Sequence, residues 1–167
     1  MKRVILLVCL AALASCSKTK TDYSEVKRNP ETVTQDGVTY TIDIPEGLPK
    51  DDRNPGDWSN AKEEYDHVPH VFTRVSDSMP DSEESAKFGV TLKVSEATFV
   101  RSQKRPDGGW AFTDAAPDRH RIEASTFVKV GAKVVTCSAT QVTEGELPSY
   151  EKTKAMLEAI CDSVKAK

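Results

Sequence analysis

The residues of this chain best suited to chemistry are its four cysteines, and their positions divide them into two kinds. Cys9 and Cys16 lie in the opening "MKRVILLVCLAALASC", whereas Cys137 and Cys161 lie in the last third. Lys2 and Arg3 make a positive start, an apolar run follows over residues 4–13, and the small residues Ala14 and Ser15 stand just before Cys16. This is the pattern of a secretory signal, too short for a bilayer span of about 20 apolar residues. In an exported chain Cys9 leaves with the signal, and Cys137 and Cys161 remain as an even pair in an oxidising compartment, where a disulfide is the expected product. Metal coordination wants further ligands at close spacing, which neither has, and a catalytic thiol wants a histidine that the sequence does not place. The bridge would close a loop of about 25 residues, a contribution of roughly 3 kcal/mol in the chain-entropy model.

Leu13-Ala14-Ser15-Cys16 also resembles the lipobox of bacterial lipoproteins. The resemblance implies a thioether from the Cys16 thiol to a lipid, cleavage in front of Cys16, and two or three acyl chains, palmitate among them. At about 0.8 kcal/mol per buried CH₂, such chains hold a protein on a membrane permanently. Ser17, not Asp, follows the cysteine, which by resemblance to enterobacterial lipoproteins directs the chain to the outer membrane, facing the periplasm. The 23 basic residues fall to 21 when Lys2 and Arg3 are removed, against 26 acidic ones, for a net charge of −5. No basic stripe exists to neutralise phosphates, so nucleic acid is excluded as a partner.

Oxygen and nitrogen ligands form two further groups. In "DDRNPGDWSNAKEE", Asp52, Asn54, Asn60 and Glu63 fall at the first, third, ninth and twelfth places of an EF-hand-like loop, a spacing that suits Ca²⁺. Gly56 and Asp57 stand in reversed order, Pro55 stiffens the turn, and Leu48-Pro49 denies an entering helix. The segment therefore reads as a solvated loop capped into a short helix over residues 60–66. His67 and His70, beside Asp66, invite zinc, with His120 as a further ligand. Residues three apart on a strand face opposite ways and Pro69 argues against a helix, so they read as surface histidines. No metal or cofactor is assigned.

Trp58 and Trp110 sit beside glycine-rich turns, where an indole stacks on a sugar or clamps a peptide. They are the candidate recognition residues, set against the plainer role of covering a sheet end. "RSQKR", residues 101–105, makes a small basic patch at a hairpin tip. Catalysis has no motif: there is no G-x-S-x-G elbow, no P-loop and no dinucleotide-binding glycine run. The pairs Glu63-Glu64 and Glu83-Glu84 read as solvated carboxylates.

The elements that must position these residues are legible in the periodicity. Residues 1–15 are the signal, 16–35 a polar tether, and 36–167 one domain. About 20 coil residues give the tether a reach near 25 Å. Val38, Tyr40, Ile42 and Ile44 alternate with polar residues in a half-buried strand that Pro45 ends. Further strands are expected at 70–75, at Phe88, Val90, Leu92 and Val94, at 97–102, 110–113, 119–130 and 133–142. "RPDGGW" and "VGAKV" supply the hairpin turns. Tyr150, Thr153, Leu157, Ile160, Cys161 and Val164 recur at helical spacing after Pro148-Ser149, an amphipathic helix with Cys161 on its buried stripe. Val135, Cys137 and Ala139 share a strand face, so the disulfide would staple helix to sheet.

The expected fold is α+β, an antiparallel meander of about six or seven strands packed against a C-terminal helix. The opening "GVTYTIDIPEGL", the strand pair "RIEASTFVKVGAKVVTCSATQV" and the closing helix ending "ICDSVKAK" resemble the PsbP-like fold. This family is named for an extrinsic photosystem protein and occurs also in bacterial lipoproteins. The resemblance implies a binding or assembly factor and carries over no catalytic residues. The expected function is thus a lipid-anchored, non-catalytic envelope module that binds a protein or envelope component. An immunity or inhibitor lipoprotein acting on a toxin or hydrolase, and an enzyme with a site not visible in sequence, stay open.

Overall fold

The computed structural model describes residues 21–59, 68–90, 98–142 and 149–167. Its longest hairpin joins β7 (Arg121–Val130) to β8 (Lys133–Val142), paired along their whole lengths around Gly131, whose φ of 63° a side chain would strain. β4 (His70–Ser76) runs beside β8, with β3 (Asp57–Trp58) outside it. On the other flank β6 (Trp110–Ala115) pairs with β7, and β5 (Thr98–Lys104) with β6. The six strands form one antiparallel sheet in the order β3-β4-β8-β7-β6-β5.

Alternation sorts its residues to two faces. Thr73, Cys137 and Thr126 fall in one cross-strand row, and Val75, Val135 and Val128 in the next but one. Over this face lies α2 (Tyr150–Asp162), burying Thr153, Met156, Leu157, Ile160 and Cys161. Lys152 and Thr153 donate their backbone N–H groups to the carbonyl of Ser149, which caps through its backbone in a left-handed conformation and not through its hydroxyl.

A second sheet completes this core: β1 (Arg28–Gln35), β2 (Val38–Pro45) and β9 (Lys165–Ala166), in the order β1-β2-β9. Val33, Tyr40 and Ile42 join Leu157 and Ile160 in one apolar cluster. Among the described residues the fold is thus α+β with nine strands in two sheets, and not the single meander of six or seven expected. The extra strands are the short β3 and β9, and β1. Polar residues on β1 hid it: only Val33 is buried, and the strand is held by backbone pairing to β2.

The tether is corrected accordingly. Residues 28–35 belong to the domain, and ahead of them the 3₁₀ turn Tyr23–Glu25 packs on α2, with Glu25 accepting from Lys152. Asp22 caps that turn, its carboxylate accepting from the Ser24 N–H at 3.0 Å.

The strand expected through Phe88 and Val90 is α1 (Glu83–Val90). Ser82 starts it, its hydroxyl accepting from the Ser85 N–H at 3.1 Å, and Glu83 pairs with Lys87 one turn on at 2.6 Å. Ala86 and Val90 form the buried stripe, against Phe112, Phe127 and Val134 on the outer face of the large sheet, while Phe88 points outward. Leu92 and Val94, and the helix expected over residues 60–66, lie outside the described residues.

Candidate functional site

Cys137 on β8 and Cys161 on α2 are joined by a disulfide, Cα to Cα 5.4 Å, with both residues wholly buried. The Thr126 hydroxyl, opposite Cys137 across the ladder, donates to the Cys161 carbonyl at 2.9 Å. Covalent and hydrogen bonds therefore pin the last turn of α2 to the centre of the sheet.

The opposite face of the sheet carries a polar cluster within its buried strands. Arg121, Glu123 and Ser125 occupy alternate positions of β7, with Asp114 opposite Glu123 on β6 and Ser138 opposite Ser125 on β8. Arg121 donates to Glu123 at 2.6 Å, and the hydroxyls of Ser125 and Ser138 donate to its other oxygen. Asp114 is pushed up to about 6, by burial first and then by the charge of Glu123, with Arg121 pulling it partly back. Chemically the cluster can hold one proton near neutral pH. Arg121, Ser125 and Ser138 are all engaged by Glu123, which leaves them little reach toward a substrate.

An open pocket of about 270 Å³ lies at the β3–β4 edge. His70, Phe72 and Arg74 project from one face of β4, and Asp57 on β3 meets His70 at 3.0 Å from ring nitrogen to carboxylate. The Phe72 ring has His70 on one side, centroids 5.6 Å apart, and the Arg74 guanidinium 5.3 Å from its centroid. Gly56 at the pocket floor touches Thr73 so closely that an added Cβ would sit 2.2 Å from the Thr73 hydroxyl. An exposed guanidinium beside an aromatic ring and an imidazole–carboxylate pair is chemistry for docking a polar, partly apolar surface.

The residues singled out in the sequence do not converge on one place. Trp58 is 1% exposed and part of the main core, with the Lys50 ammonium 5.3 Å from its ring centroid, so it offers no recognition surface. Trp110 is half-buried, stacked on Phe112 at 6.1 Å and capped by Lys104 at 5.7 Å. Asp52 and Asn54 lie in a turn where Arg53 engages Asp51, whose carboxyl it holds below the usual range. Asn60, Glu63, Asp66 and His67 lie outside the described residues, as does Cys16. His120 pairs with Asp118, and His70 with Asp57, in separate places. Among the described residues no three His, Cys, Asp or Glu side chains gather as a metal set.

The basic patch is also internal in character. Arg101 and Arg105 both donate to Asp162 at the end of α2, at 2.8 and 3.2 Å, clasping the β5–β6 hairpin to the helix. The polar cluster and the β4 pocket were missed in the sequence. The period-two run Arg121, Glu123, Ser125 was the available signal for the first. Arg74 beside Phe72 was the signal for the second.

No protein-family model matches the chain, and no curated protein matches it. Among solved structures it is similar to the solution structure of cyanobacterial PsbP (CyanoP) from Synechocystis sp. PCC 6803. The TM-score is 0.53 at 14% identity, over 93% of this chain and 99% of that one. At this identity the likeness is one of fold: the domain is PsbP-like.

Proposed function

We propose that this PsbP-like chain is a lipid-anchored binding module of the bacterial cell envelope, held by acyl chains on Cys16 at the outer membrane and facing the periplasm. It recognises a protein or envelope component and performs no catalysis. The observation that carries the reading is the buried disulfide between β8 and α2, which suits an oxidising compartment and so agrees with the signal and lipobox at residues 1–16. Arg74, Phe72 and His70 at the β4 edge supply residue types that anchor interfaces. The buried Glu123 carboxylate, with its partners inside the sheet, favours binding over chemistry.

Intact mass spectrometry of the protein from its native membranes tests the anchor and the bridge together. The expected mass is that of residues 16–167 plus acyl chains, about 2 Da light before reduction and alkylation. An unlipidated chain with two free thiols overturns the reading. A photo-crosslinker at Phe72 is expected to capture a partner that Arg74→Glu releases; capture unaffected by that change removes the pocket from the proposal.

A further inference from the structure

We infer that the end of the domain formed by the 3₁₀ turn, the first turn of α2 and the β6–β7 turn lies against the phospholipid bilayer, with Lys27 and Arg28 meeting headgroup phosphates. The inference rests on the lipidation of Cys16 proposed above. Three observations build it.

The leash is short. Asp22 already caps the docked turn Tyr23–Glu25, so six peptide steps separate the Cys16 Cα from the domain, about 20 Å even when fully extended. A tether reaching Gln35 would have given the domain about three times that leash.

The docking point is at one end. Glu25 is held by Lys152 in the first turn of α2, and Tyr23 packs at the margin of the main core with Tyr150, the first residue of that helix. Arg119 of the β6–β7 turn covers the Tyr150 ring at 4.8 Å from its centroid. The far end is defined by the same elements. β7 runs ten residues, about 30 Å, from the β6–β7 turn to the β7–β8 turn, and Asp162 at the other end of α2 is clasped by Arg101 and Arg105.

The chemistry next to the leash fits a phosphate surface. Lys27 and Arg28 follow the docked turn after Val26 and are exposed without an ion pair among the described residues. Of the acidic groups around them, Glu25 is engaged by Lys152, Asp22 by Ser24 and Glu31 by Lys50 at 3.5 Å, while the exposed Glu46 donates its backbone N–H to the Lys27 carbonyl. Cations next to a lipid surface are attracted to its phosphates.

The test uses the lipidated full chain in phosphatidylethanolamine–phosphatidylglycerol vesicles that carry a nitroxide on the headgroup. A fluorophore is attached to a single cysteine at Asp118→Cys in the β6–β7 turn or at Ala132→Cys beyond Gly131, both exposed positions. The chain is expected to float with the vesicles, and the label at 118 to be quenched about threefold more than that at 132. Inserting about twenty Gly/Ser residues after Ser17, with a coil reach near 25 Å, is expected to bring the ratio toward one. Combining Lys27→Glu with Arg28→Glu is expected to lower the ratio, and an unchanged ratio overturns the headgroup contact. Equal quenching in a chain that floats overturns the orientation alone. A chain that does not float overturns the anchor, and the orientation with it.

Discussion

Asp114 and Glu123 stand directly opposite each other across the β6–β7 ladder, each at most 3% exposed. Two carboxylates placed so cannot both carry charge without cost. Arg121 donates to Glu123, and the cost falls on Asp114, whose pKa of about 6 lies well above its unfolded value.

The pH dependence follows from the sign of that shift. Between pH 4 and 6 the native state holds a proton that the unfolded chain has released, so Asp114 makes stability fall as pH rises through this window. Raising the Asp114 pKa to about 6 corresponds to about 3 kcal/mol lost at pH 7. Asp51, Glu83 and Asp118, held low by Arg53, Lys87 and His120, act in the opposite sense, so the variant isolates the effect. Asp114→Asn is expected to raise Tm at pH 7.5 by several degrees and to leave it unchanged at pH 4. Calorimetry at the two pH values decides it, and an unchanged Tm at pH 7.5 contradicts the assignment.

Arg121 and Glu123 are expected to be strongly coupled. Glu123→Ala leaves a buried guanidinium unpaired and strands two serine hydroxyls, a cost of about 3–5 kcal/mol. The double replacement Arg121→Met with Glu123→Leu is expected to be less damaging than Glu123→Ala. Urea unfolding of the wild type, the singles and the double measures the coupling; additive losses would rule out an ion pair that matters.

The disulfide closes a loop with a sequence separation of 24. Its removal by Cys137→Ala with Cys161→Ala is expected to cost about 3 kcal/mol, and reduction of the wild type to cost a similar amount. The Thr126 hydroxyl still holds the Cys161 carbonyl in the reduced chain, so far-UV circular dichroism should retain its helical signal below the lowered Tm. Loss of α2 at 25 °C on reduction would contradict this division of labour.

Two adjacent glycines of the β5–β6 turn are expected to differ sharply. At Gly109 an added Cβ would lie 1.9 Å from the Phe127 carbonyl oxygen, whereas at Gly108 nothing lies within 4 Å and only the positive φ of 83° resists. Gly108→Ala is expected to cost about 1–2 kcal/mol, and Gly109→Ala at least about 3 kcal/mol because β6 must move off β7. Equal losses would show that the hairpin yields without disturbing the sheet.

What the sequence disclosed is bounded by where periodicity speaks. β2, β8 and α2 were plain because each carries a regular apolar stripe, and the stripes placed Cys137 and Cys161 to face each other. β1 was opaque: its apolar content is one buried valine, and its place is set by hydrogen bonds to β2 that leave no trace in hydropathy. Phe88 and Val90 imitated a strand because the true helical stripe runs through the small Ala86. The strand over 119–130 was legible but the buried cluster of Arg121 and Glu123 on it was not, since a sequence does not say that the second face of the sheet is also covered. Trp58 looked like a surface aromatic because its turn is polar, yet tertiary packing takes the indole inward.

The pairing of β2 with β9 has a consequence in time. Tyr40 is registered with Ala166, and the Asp43 N–H donates to the Ser163 hydroxyl at 2.7 Å, bridging 120 positions of sequence. The β1–β2 hairpin can form early, but a two-stranded ribbon in water is marginal by itself. Its inner edge acquires a partner only after residues 163–166 have emerged and α2 has docked. Long-range closure of this kind slows folding. The N-terminal hairpin therefore stays uncommitted until the C-terminal residues 163–166 are in place beside it.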